Sequence, residues 1–145
     1  ELMQEVKKHL DKRGIPYQDF GCYSRDSVDY PDYARQVGYA VQEGSCEKGI
    51  LICGTGMGMA IVANKYPGVY AAVCENTYAA EKCRAINDAN ILTMGGWITA
   101  DFAGCAIVDK FLNTAFTENL EPWRQEFLTK AREEVKGIEK GIYHN

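Results

Sequence analysis

The 145-residue chain lacks the long apolar run that a membrane-spanning helix requires: no stretch of 18 apolar residues occurs. Basic charge is also short. Lys and Arg number 16 against 20 Asp and Glu, for a net charge of −4, which argues against a nucleic-acid surface built on general basicity. Histidine is scarce, with only His9 and His144, so a Cys–His dyad within the chain is not expected. There are six cysteines, Cys22, Cys46, Cys53, Cys74, Cys83 and Cys105, but no CxxC pair. Spread through apolar runs in a chain that is 46% hydrophobic, they read as reduced thiols of a cytoplasmic protein, not as a disulfide framework. Internal repeats, low-complexity stretches and linkers are absent too, so one domain over residues 1–145 is expected.

What is present alternates between helical and strand patterns. Leu2, Val6 and Leu10 recur at helical spacing before Gly14. A short strand is expected in IPYQDF (15–20), and a helix in PDYARQVGYAVQEG, with Tyr33, Val37, Ala40 and Val41 on one face. KGILIC, VYAAVC and ANILTMGG are short continuous apolar runs, the pattern of strands buried on both faces. Helices follow each: MAIVANK, TYAAEKCRAIND and TADFAGCAIVDKFLNT, the last with Thr99 as its expected cap. His9 reads as a solvated mid-helix residue. Residues 113–145 form a charged helical extension, amphipathic around Trp123, Arg124 and Phe127 and suited to packing on a partner chain. The pattern is that of an α/β domain, three layers deep, with a parallel sheet.

The most informative stretch is Cys53-Gly54-Thr55-Gly56-Met57-Gly58-Met59, between a buried strand and a helix. It fits neither GxGxxG nor GxxxxGK[ST], which disfavours the common nucleotide loops. Glycines at the carboxyl end of a strand let backbone N–H groups approach an anion. Cys53, at the strand's end, is either a thiolate base or nucleophile or a small buried apolar residue.

GILICGTGMGMAIVANKYPGVYAAVC followed by INDANILTMGG, with DYPDYARQVGYAV and IVDKFL, resembles the ribose-5-phosphate isomerase B family, which also holds the two galactose-6-phosphate isomerase subunits. The resemblance runs from Glu1 to about Leu112 and implies a Rossmann-like fold. It also implies aldose–ketose isomerisation of a phosphorylated sugar through a cis-enediolate, without metal or other cofactor. Cys53 matches the family's base and Thr55 the hydroxyl that helps hold or reprotonate the intermediate. Backbone N–H groups of Gly54, Gly56, Met57 and Gly58 would form the anion hole, and Tyr30 and Asn87 match positions that contact sugar hydroxyls. Tyr30 has an alternative reading, a packing aromatic before a helix. Family members are dimers that complete each other's sites, so a homodimer or higher homo-oligomer is implied.

The departures from the family carry as much information. Ile86 stands where the family has a ring-opening histidine, and Trp97 where many members have an arginine for the phosphate. Arg124 is the counterpart of one of two C-terminal arginines; the other has no match. The family's first strand, ending in an Asp-His pair, would precede Glu1, and the expectation is that the mature protein has it. Without the histidine, three accounts stay open: a substrate that does not cyclise, a histidine from a different subunit, or weak activity on ribose 5-phosphate. Trp97 is either a packing residue or a sugar-stacking wall. A non-catalytic or accessory sugar-phosphate-binding subunit is the competing reading of the whole chain.

Overall fold

The computed structural model describes residues 2–21 and 30–143, with Tyr30 placed by its backbone alone. In chain order the elements are α1 (Leu2–Lys12), α2 (Tyr30–Gln42), β1 (Gly49–Cys53), α3 (Met57–Ala63) and β2 (Ala71–Val73), then α4 (Thr77–Asn87), β3 (Ile91–Gly95), α5 (Asp101–Asn113) and α6 (Pro122–Tyr143). The three strands are parallel in the order β1-β3-β2, with Gly49 opposite Ile91 and Cys53 opposite Gly95. β3 is buried at all five positions, as its continuous apolar run requires of a central strand.

Two cores sandwich the sheet and confirm the three-layer α/β fold. On one face Leu92 and Met94 meet Val6 and Leu10 of α1, Cys83 of α4 and Ile107, Val108 and Phe111 of α5. On the other, Leu51 and Ile91 meet Ala34 and Val41 of α2 and Met59 and Ala63 of α3. Cys46, Cys53, Cys74, Cys83 and Cys105 are free thiols. Cys74 and Cys83 lie 3.7 Å apart in the first core; the Cys83 thiol beside it and burial push the Cys74 thiol up, so it stays protonated as core filling.

Three expectations need correction. IPYQDF forms no strand. The outer edge of β1 has no strand partner among the described residues and opens on a groove of about 920 Å³, along which Ile15–Phe20 lies. A strand persists only where a neighbour completes its ladder, and this segment pairs with none among the described residues. Thr99 does not cap α5: Ala100 occupies the cap position without a side-chain bond, and the Thr99 hydroxyl is buried without a partner. His9 is not a solvated residue, since its Nε2 lies 2.8 Å from Asp109 Oδ1 on α5, which also takes Arg13 at 3.2 Å. α6 lies along its own chain with none of its residues buried.

Direction matters for the site. Because the sheet is parallel, the helix after each strand starts at the carboxyl end of the sheet and finishes at the amino end. α4 therefore delivers Asn87 to the end where β1 and β3 begin, while β1 delivers Cys53 to the other. Phe111, fully buried against this layer, carries much of that geometry. Phe111→Ala is expected to lower unfolding free energy by about 3–5 kcal/mol in urea denaturation. A loss under about 1 kcal/mol would show that the α5 layer is not the core of the domain.

Candidate active site

β1 ends at Cys53, and the chain turns through Gly54, Thr55 and Gly56 into α3. Gly56 takes a left-handed conformation, φ +80°, which costs a glycine little and most residues more. The turn lies directly on the end of β3. A Cβ on Gly56 would sit 2.8 Å from the Met94 carbonyl carbon, and one on Gly95 would sit 2.6 Å from that of Thr55. Gly96 N–H and Trp97 N–H then donate to the Cys53 and Gly54 carbonyls at 2.6 and 3.0 Å. Two strand ends are thus pinned together, backbone to backbone.

The packing aims the side chains. The half-buried Cys53 Sγ accepts a hydrogen bond from Gly56 N–H at 3.1 Å, an arrangement that holds the sulfur in place. Thr55 Oγ1 accepts from Met57 N–H at 3.3 Å. Of the four N–H groups expected to form an anion hole, two are therefore engaged within the loop. Those of Gly54 and Gly58 have no hydrogen-bond partner among the described residues. Trp97 is 85% exposed, yet its indole lies flat over Gly54, where a Cβ would be 2.9 Å from three ring atoms. It stands at the rim of the loop with one face against the backbone and the other in solvent.

The remaining expected residues are elsewhere. Asn87 is exposed at the end of α4, and Arg124 is half-buried in the first turn of α6, its guanidinium 6.0 Å from the Trp123 ring centre. Thr117 N–H donates to Ala85 O at 2.8 Å, and Gln125 donates to Thr117 O at 3.1 Å, so both belong to the amino end of the sheet. Four steps of β3 at roughly 3.3 Å each put about 13 Å between that end and Cys53. The side chain of Tyr30 and the whole of Cys22 fall outside the described residues.

Two features escaped sequence reading. Gly95 belongs to an evident glycine pair, but only the structure shows that its missing Cβ admits the loop. The second is a charged cluster behind Asn87: Asp88 bridges Arg84 and Arg132, each at 2.8 Å. It adjoins a cleft of about 770 Å³ between α6 and the amino end of the sheet. Tyr70 lines the cleft and donates to Glu139 at 2.9 Å; burial, then that hydrogen bond, pushes its hydroxyl up to about 12. Among the described residues no His, Cys, Asp and Glu cluster could hold a metal ion, and no helix is long and apolar enough to cross a membrane.

In an open parallel α/β domain small-molecule ligands bind beyond the carboxyl ends of the strands, where this chain carries its cysteine-bearing glycine loop. The profile of the family described as Ribose/Galactose Isomerase matches residues 1–126. The chain is 57% identical over 143 residues to a 4-deoxy-4-sulfo-D-erythrose isomerase of Clostridium sp. (strain MSTE9), covering 98% of this chain and 90% of that protein. It is 40% identical over 128 residues to the ribose-5-phosphate isomerase B of Escherichia coli (strain K12), covering 88% and 86%. The solved ribose-5-phosphate isomerase B of Clostridium thermocellum superposes with a TM-score of 0.88 at 40% identity, over 97% of this chain and 90% of that one. The chain belongs to the ribose/galactose isomerase family and is an aldose–ketose isomerase.

Gly95→Ala is expected to lift the loop from β3 and lower kcat at least tenfold, since even small misplacements of a catalytic group cost that much. Steady-state kinetics on folded protein measure it. Unchanged kcat would show that the close approach is dispensable.

Proposed function

We propose that the chain isomerises a short aldose bearing a terminal anion, a four-carbon 4-sulfo or 4-phospho sugar, through an enediolate with Cys53 as base. The observation that carries the reading is the Cys53 sulfur fixed by Gly56 N–H at 3.1 Å beside Thr55. The thiolate takes the C2 proton of the aldose, and the electron pair moves to the carbonyl oxygen to give the enediolate. The same thiol, its proton exchanged with solvent, then protonates C1 as the ketose carbonyl forms at C2. Thr55 carries the hydroxyl proton between O2 and O1, and loop N–H groups left open meet the developing charge.

The four-carbon chain follows from Ile86. An isoleucine cannot protonate a ring oxygen, and a tetrose with sulfur or phosphate at C4 has no free 4-hydroxyl with which to close a furanose. A substrate that is always open needs no ring opener. The 57% identical relative is named for such a sugar, which supports the same class here. Trp97 would wall the far end of the substrate with a flat face and one N–H donor.

The site is shared between two copies of the chain. Asn87 and Arg124 cannot reach Cys53 of their own chain, whereas a second copy related by a two-fold axis brings each end to the other's loop. Two exposed apolar surfaces support this. Trp123, Phe127, Val135, Ile138 and Ile142 form one stripe of α6, and Met57 and Ile61 accompany Trp97 near the loop.

With D-erythrose 4-phosphate or its 4-sulfo analogue in deuterated water, the ketose is expected to form with solvent deuterium at C1, detected by NMR. Cys53→Ala should lose at least a thousandfold in kcat, about what the removal of a catalytic base and nucleophile costs; retained turnover would refute the assigned base. Ile86→His should raise turnover of ribose 5-phosphate, and no gain would count against the ring-opening argument. Mixing inactive Cys53→Ala and Asn87→Ala chains should restore about a quarter of wild-type activity, as random pairing leaves one intact site in half the dimers. No recovery would place both groups outside a shared site.

A further inference from the structure

Asn87 is exposed, and its side chain takes no hydrogen bond from the described residues, so its amide is open to a ligand. The residue that follows is held with unusual firmness. Asp88 has φ +55° and ψ 39°, a left-handed conformation that a non-glycine residue keeps only where its surroundings enforce it. Its backbone N–H closes α4 onto Arg84 O at 3.1 Å, and Ala89 N–H closes onto Cys83 O at 3.0 Å. That pair of bonds terminates the helix without help from any side chain.

Both carboxylate oxygens are nevertheless engaged. Oδ1 takes Arg84 Nη1 at 2.8 Å, and Arg84, 8% exposed, is itself anchored on Thr114 O at 3.1 Å and Ala89 O at 2.7 Å. Oδ2 takes Arg132 Nη1 at 2.8 Å, from a helix 44 residues downstream, and the Arg132 guanidinium stacks over the Phe116 ring at 4.4 Å. Two guanidinium groups on two oxygens fix the plane of the carboxylate, hence the direction of the Asp88 side chain and the peptide that joins it to Asn87. Arg84 alone would suffice to neutralise Asp88. What Arg132 adds is a tie between α6 and the Ile86–Asn87 turn.

We propose that Arg132, acting through Asp88, is a positioning residue that holds the Asn87 amide in the orientation required at the sugar hydroxyls of a second chain's site. The proposal rests on the reading that Asn87 serves the loop of a partner copy. Because α6 also carries the exposed apolar stripe, docking of the partner and orientation of Asn87 are set by the same helix.

The test is a double-mutant cycle between Arg132→Gln and Asn87→Ala in the full chain. It is assayed with D-erythrose 4-phosphate or ribose 5-phosphate, whichever the wild type turns over faster. Arg132→Gln should lower kcat about tenfold to a hundredfold with KM changed less than about threefold. Arg132→Lys, which keeps the charge, should recover part of that loss. In the Asn87→Ala background Arg132→Gln should cost nothing further, because the residue acts only through Asn87. Losses that multiply in the double variant, or a kcat unaffected by Arg132→Gln, would overturn the proposal. If Arg132→Gln does not fold, Asp88→Asn takes its place, with the same non-additivity expected. Full activity of Asn87→Ala would remove the underlying reading and the proposal with it. A crippled Asn87→Ala beside a fully active Arg132→Gln would remove the proposal alone.

Discussion

The contact on which the site depends is backbone against backbone: the turn after β1 lying on the last residues of β3. It exists because Gly56 and Gly95 have no Cβ, each facing a main-chain atom of the other strand closer than 3 Å. A side chain can rotate out of a clash, but a peptide plane in a central strand cannot, since β3 is hydrogen-bonded on both sides. The carbonyls of Cys53 and Gly54 are then used up by Gly96 and Trp97 N–H groups, which leaves the Cys53 thiol and the Thr55 hydroxyl as the chemistry-bearing groups of the turn. Trp97 inherits its place over Gly54 from the same contact.

Much of this was legible in the sequence because it rests on local pattern. Strands buried on both faces read as unbroken apolar runs, and the three parallel strands lie within those runs. The loop announced itself by alternating glycines. What was not legible depends on neighbours far away in the chain. IPYQDF has the composition of a strand, but composition does not supply a ladder, and the segment pairs with no strand among the described residues. His9 has the sequence context of a solvated helix residue; its partner Asp109 lies 100 positions on. Thr99 precedes a helix and has the right chemistry to cap it, yet the cap falls one residue later.

Direction is the other thing a linear reading hides. Cys53 and Asn87 both follow the motif pattern of one site, but β1 and α4 run oppositely with respect to the sheet. Parallel topology therefore forces the two apart within a chain, whatever the side chains do. The arginines tell the same story. Arg84 and Asp88 are visible as a helical i, i+4 pair, while Arg132 belongs to the cluster only because α6 folds back across the amino end of the sheet.

On the proposed reading, with Cys53 as base at one end and Asn87 at the sugar hydroxyls from the other, the chain is half of two sites. Two-fold pairing is the simplest closed arrangement that makes both whole, because a single interface then serves both copies. It also explains how an acidic chain can bind an anion. The loop itself offers open N–H groups and an indole, while the cation expected at the substrate, Arg124, lies at the opposite end, at the start of α6. In the proposed two-fold pair that cation would fall beside the partner's loop. A terminal sulfonate or phosphate would then meet positive charge from one chain while its C1–C2 end meets the thiol of the other. In the proposed pair, substrate length would be set by the span between the two chains.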